Sequence, residues 1–186
     1  FHERIYEWFS LHYPEVKITK DIAEKILSHG RRENFPGFRD STGVDLTEKD
    51  QEMLVEFAVT IQNLSEEKDR LEKYVTESVR EIAPNTSSLV DPLLAARLIS
   101  HAGTLEKLAR MPASTIQLIG AEKALFRHLH KKGRSPKYGI IFTSSVVQNA
   151  SNENKGKAAR ILASKLMVAA RIDYYSGRHD DNIKKQ

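Results

Sequence analysis

The sequence predicts an all-α protein, a long antiparallel coiled coil followed by a globular helical domain, and three observations carry that prediction. An apolar stripe with three-four spacing runs from Leu54 to Ile82. Outside it the chain divides into short amphipathic runs punctuated by proline and glycine. Only "YGIIFTSSVVQ" has sustained β-like composition, and its apolar centre reads equally as a buried extended link, so little or no sheet is expected.

In residues 1–33, Ile5, Trp8, Phe9 and His12 stand at helical spacings, and Pro14 marks a break. Ile18, Ile22 and Ile26 form a second helical run that Gly30 closes. "RRENFPGFRDSTG" is a turn-rich connection, after which Thr47 and Asp50 supply a capping start signal. The stripe that follows is Leu54, Phe57, Ile61, Leu64, Lys68, Leu71, Val75, Ser78 and Ile82, the seam of a coiled coil. The run to Ala83, ended by Pro84, makes a helix of about 37 residues and roughly 55 Å. A narrow stripe of that length needs a partner helix. The preceding helical segments can supply an antiparallel one, and a second molecule can supply more. Lys68 on the seam reads as a register device or as a snorkelling edge residue.

After Pro84 the composition changes. Asp91 and Pro92 form an N-cap and first-turn pair, Leu93, Leu94, Leu98 and Ile99 follow, and Gly103 closes the helix. A short helix over Thr104–Arg110 precedes Pro112, and "STIQLIG" is brief and apolar. Asn154–Asp173 reads as a helix rich in small residues, with Ile161, Leu162, Leu166 and Val168 expected to be largely buried. "YYSGRHDDNIKKQ" reads as a fraying end. The expected organisation is a coiled-coil region over 1–83, a globular domain over 84–177 and a polar end over 178–186.

Composition narrows the chemistry. The chain has no cysteine, so disulfides, thiol catalysis and cysteine-ligated zinc are excluded. No run of eighteen apolar residues exists, so no membrane span or membrane partner is expected. It starts without Met inside a helical pattern, so a fragment of a longer protein is expected. Residues 1–93 hold 12 Lys+Arg and 19 Asp+Glu, whereas residues 94–186 hold 17 and 6. So basic a second half calls for a polyanionic partner.

Two clusters concentrate that charge. "GAEKALFRHLHKKGRSPKYG", from Gly120 to Gly139, carries six Lys or Arg against the single acid Glu122. On a helix starting at Ala121, Lys123, Arg127 and Lys131 share one face while Ala121, Leu125 and Leu129 share the packing face. Lys132, Arg134 and Lys137 extend the cationic patch. In the second cluster Asn154 is a good N-cap, and Lys155, Gly156 and Lys157 occupy a first turn whose free N–H groups attract phosphate. Arg160 and Arg171 lie on the same side as Lys157. Nucleic acid fits these clusters better than acidic lipid, because neither helix combines its basic face with exposed aromatics. Catalytic patterns are missing: "HLH" sets His128 and His130 on different sides of a helix without a third metal ligand. Ser144 and Ser145 lack a nucleophile-elbow setting, and no cofactor loop occurs. No enzyme, metal or cofactor is expected.

Three separated stretches in order, "MPASTIQLIGAEKALFRHL", "PKYGIIF" and "KGKAARILASKLMVAARIDYYSG", resemble the Nop domain family of box C/D ribonucleoprotein scaffolds, over about residues 45–177. The resemblance implies the same all-α architecture and a noncatalytic role in RNA-guided 2′-O-methylation, cytoplasmic in archaea and nucleolar in eukaryotes. In that family a fibrillarin-binding domain precedes the coiled coil, and nothing in this chain corresponds to it. The resemblance also implies recognition of a composite surface, a kink-turn guide RNA already held by a small ribosomal-type protein. The cations of 120–139 would then reach phosphates, while Ala121, Glu122, Ala124, Phe126 and His130 touch the protein partner. The loop after Phe142 would approach the RNA, with Thr143 where a splicing-factor relative has histidine and Ser144–Ser145 where many archaeal members have "HP". Self-association through the coiled coil belongs to the same reading. The competing reading is a coiled-coil adaptor whose basic domain binds an acidic protein.

Overall fold

The computed structural model describes residues 1–17 and 21–180. Ile18 of the second helical run and residues 181–186 of the polar end lie outside the described residues. Among those described there is no strand, in keeping with the predicted all-α class. The chain forms two compact units, Phe1–Leu71 and Glu72–Gln186.

In the first unit, α1 (His2–His12) and α2 (Ile22–His29) share a core with the first half of α3 (Glu48–Ile82). Ile5, Phe9, Ile22, Ile26, Leu54, Ala58 and Ile61 form its centre. The predicted capping box opens α3: Asp50 N–H donates to Thr47 Oγ1 at 3.2 Å, and Thr47 donates back to the Asp50 carboxylate. The α2–α3 connection is fixed by hydrogen bonds. His12 Nδ1–H donates to Val44 O at 2.8 Å, and Arg32 donates to the carbonyls of His12 and Gly43. Gly43 is required there, because a Cβ would collide with His12 O.

The seam is buried in part. In the first unit Leu54 and Ile61 are buried and Phe57 partly so, but Ala58 is buried ahead of Phe57. In the second unit Val75 is partly buried, and Val79 and Ala83 take the core positions expected for Ser78 and Ile82. A helix has 3.6 residues per turn rather than 3.5, so i+4 competes with i+3 for a buried face and local packing decides. Leu64 and Leu71 are half exposed, and the Lys68 side chain is largely exposed beside Asp69.

The second unit is built around α10 (Lys155–Tyr175). Its inner face, Ala159, Leu162, Ala163, Leu166, Ala169 and Ala170, is fully buried, and the alanines let neighbouring backbones come close. Against it pack α4 (Pro84–Leu89), α6 (Leu105–Arg110), α7 (Ala113–Leu118) and α9 (Ser145–Gln148). The helix α5 (Pro92–Ala102) is capped as predicted, with Asp91 accepting from Leu93 N–H at 2.9 Å. "GIIFT" is not a strand: Ile140–Thr143 is a 3-10 turn whose Ile141 is buried.

Two expectations about α10 are corrected. Ile161 and Val168 are exposed, because at 100° per residue they fall on the side of α10 opposite the face of Ala159, Leu162, Ala163 and Leu166. The end is also tied rather than frayed as far as Asp180. Buried Asp173 accepts four hydrogen bonds, from the N–H and side-chain amide of Asn85 and from the N–H and hydroxyl of Thr86. It thereby satisfies the free N–H groups at the start of α4. The Asn85 amide continues to Arg178 O, and Asp180 N–H donates to Asn85 Oδ1 at 2.7 Å.

Candidate nucleic-acid interface

The segment between Gly120 and Gly139 leaves the second unit and returns to it at one crossing. Gly139 N–H donates to Gln117 O at 2.8 Å, and Ile140 N–H donates to Ile119 O at 2.7 Å. The Gln117 amide donates to Lys137 O at 2.6 Å. At this crossing neither glycine admits a side chain. A Cβ on Gly139 would run into the carbonyl of Ile119, and a Cβ on Gly120 would strike the Ile140 side chain. Gly120 also has φ of 82°, in the left-handed region. The two glycines that bound the basic stretch are thus its base.

From that base rises α8 (Glu122–Leu129). Glu122 accepts from Gly120 N–H at 2.6 Å, which together with its own N–H holds its carboxyl below the usual carboxylate range. No residue of α8 is buried. Ala121, Ala124 and Leu125 are half-buried, whereas Phe126 is 65 % exposed and Leu129 69 % exposed. The expectation that Leu129 packs inward is therefore corrected: a helix standing off a domain has no core for its upper turn. Lys123 and Arg127 are exposed one turn apart, and with Glu122 and Phe126 they line a shallow surface groove. His130 tilts against Phe126 at 4.7 Å.

Lys131 does not continue that face. It sits beyond the helix at φ of 58°, with its N–H bonded to His128 O and that of Lys132 bonded to Arg127 O. This is a Schellman end with lysine where glycine is usual, at some conformational cost. The His128 ring bonds to Gly133 O across the turn. Lys131, Lys132 and Arg134 are exposed in the loop that follows α8.

The second cluster meets the first at Lys137. Its aliphatic stem passes over Gly156 at the start of α10, where a Cβ would meet it in ordinary contact at 3.7 Å. Lys155 Nζ sits 5.4 Å above the Phe142 ring, and Phe142 stacks on Tyr138 at 4.8 Å. Lys157 and Arg160 are exposed on the following turn. Asn154 occupies the N-cap position without a side-chain cap; its amide donates to Ser151 Oγ instead, because its backbone is already helical. Thr143 is exposed, with its hydroxyl donating to Ile140 O. Arg171 departs from the set, since its Nε donates to Ala109 O at 3.1 Å. Sequence reasoning missed the glycine crossing and the Tyr138–Phe142–Lys155 stack. The only local signal for either was the glycine–aromatic run "YG".

The family model described as "Nop: snoRNA binding domain, fibrillarin" matches residues 21–186. Nucleolar protein 56 of Caenorhabditis elegans is 38 % identical over 205 residues, covering 95 % of this chain and 42 % of the relative. A NOP5 family protein of Methanocaldococcus jannaschii is 41 % identical over 194 residues, covering 92 % of this chain and 47 % of the relative. A chain in a crystal structure of a fibrillarin/Nop5p complex aligns with a TM-score of 0.60 at 30 % identity, over 99 % of this chain and 61 % of that one. The chain thus spans less than half the length of these curated relatives.

Proposed function

Because this chain belongs to the Nop family, we propose that it is a noncatalytic scaffold of a box C/D ribonucleoprotein. It binds a kink-turn guide RNA together with the small ribosomal-type protein that holds the kink-turn. The observation that carries this reading is α8 itself, a helix projected on a glycine crossing with its apolar Phe126 in solvent beside Lys123 and Arg127 and Leu129 exposed on its other side. A face that mixes large exposed apolar groups with cations suits a surface that is part protein and part phosphate. Lys137, Lys155 and Lys157 extend the cationic path toward the start of α10, and Thr143 stands at its edge. Ala121, Glu122, Ala124, Phe126 and His130 are the protein-facing set.

Self-association through α3 belongs to the same proposal, since Leu64 and Leu71 offer apolar surface one heptad apart. Fibrillarin is proposed as a partner of the full-length protein, as the name of the fibrillarin/Nop5p complex suggests. The test is fluorescence polarisation on a kink-turn RNA with and without the small ribosomal-type protein. Tight binding only to the RNA–protein complex supports the composite surface. Equally tight binding to naked RNA, or none to either, contradicts it.

A further inference from the structure

We propose that the outer face of α10 docks an acidic amphipathic helix of a protein partner. Ile161, Val168, Ile172 and Tyr175 are spaced by seven, four and three, so they form one stripe on the side of α10 opposite its buried alanines. Ile161 is 51 % exposed, Val168 42 % and Tyr175 66 %, and Ile172 is half-buried. A helix apolar on both faces is the pattern of a buried element, yet here one face is open to solvent. The occupant's chemistry follows from the flanks. Lys157, Arg160, Lys165 and Arg171 border the stripe, and no acid occurs from residue 155 to 172. At the far end Arg110 is already paired with Glu106 at 2.5 Å, so the bordering charge is that of α10 itself. A second copy pairing α10 on α10 would bring these charges together, whereas a helix with acids beside an apolar seam would neutralise them. The four apolar residues belong to neither the proposed RNA set nor the primary-protein set, and only the cations at the start of α10, Lys157 and Arg160, are shared with the RNA reading.

The chain has no cysteine, so Val168→Cys accepts a single environment-sensitive fluorophore on the stripe. The probes are a synthetic Leu/Glu amphipathic helix, its Leu/Lys counterpart, a Ser/Glu peptide of the same charge, and a kink-turn RNA. A blue shift with the Leu/Glu peptide alone is the expected result. Ile161→Ser with Val168→Ser in unlabelled protein, checked by circular dichroism, is expected to weaken that peptide by about tenfold or more. Equal binding of the Ser/Glu peptide would reduce the face to bulk charge and overturn the proposal. A shift with RNA and none with the Leu/Glu peptide would assign the face to nucleic acid and overturn it as well.

Discussion

Both α8 and α10 present lysines and arginines, but α10 does so on a helix whose opposite face is buried from Ala159 to Asp173, whereas α8 has no buried residue at all. The cations of α10 are therefore placed by packing. Those of α8 are placed by backbone, through two glycines that cross and a carboxylate that holds Gly120 N–H. Changes to side chains in the core should disturb α10 first, while changes at the crossing should move α8 and leave the rest of the unit folded.

The largest effect is expected from Asp173→Ala. It leaves the N–H groups of Asn85 and Thr86 and the Thr86 hydroxyl buried without their acceptor, at a cost of roughly 3 kcal/mol or more. The Asp173→Asn variant should recover only part of the loss, because its amide turns a donor toward donors. Thermal unfolding monitored by circular dichroism checks both. If Asp173→Ala melted with the parent, the anchor at the end of α10 would not be what holds it.

Gly139→Val attacks the other side of the comparison. The new side chain must displace Ile119 or the returning strand of the loop, an overpacking cost of about 1–3 kcal/mol. Binding to the RNA–protein complex should fall by much more than the stability change explains, because α8 is re-aimed. Unchanged affinity would show that α8 is not positioned by the crossing.

Lys131→Gly should act in the opposite direction and stabilise by about 0.5–1 kcal/mol, since glycine takes the left-handed conformation without strain but costs more unfolded-chain entropy. Urea unfolding measures it. The smallest effect is electrostatic. Glu122 is held below its ordinary value of 4.5 by the Gly120 N–H, so its hold on the base of α8 is full above pH 4.5 and fades as the pH falls through its lowered value. The Gly120 amide resonance should titrate there, and Glu122→Gln should abolish the titration.

How far the sequence reveals these two helices depends on the range of the interactions. The caps at Thr47 and Asp91 were legible because donor and acceptor lie within three residues. The inner face of α10 was legible at Leu162 and Leu166 but not beyond. Ile161 and Val168 look like core by composition, and their place on the side of α10 opposite the alanines excludes them. Asp173 meets Asn85 across 88 residues, which no periodicity encodes. Lys123 and Arg127 stand exposed one turn apart on α8, where the four-residue spacing puts them. The same spacing does not carry on to Lys131, because the helix ends at Leu129 and Lys131 takes the left-handed conformation beyond it.

In the proposed function the open face of α8 meets phosphate while contributing nothing to the fold. Lys123→Ala with Arg127→Ala, titrated against the RNA–protein complex over a range of salt, tests it most directly. Two lost phosphate contacts should flatten the slope of log K against log salt by about 1.4–1.8, with stability unchanged to within about 0.5 kcal/mol. An unchanged affinity and slope, or a loss of binding that tracks a loss of stability, would contradict the claim.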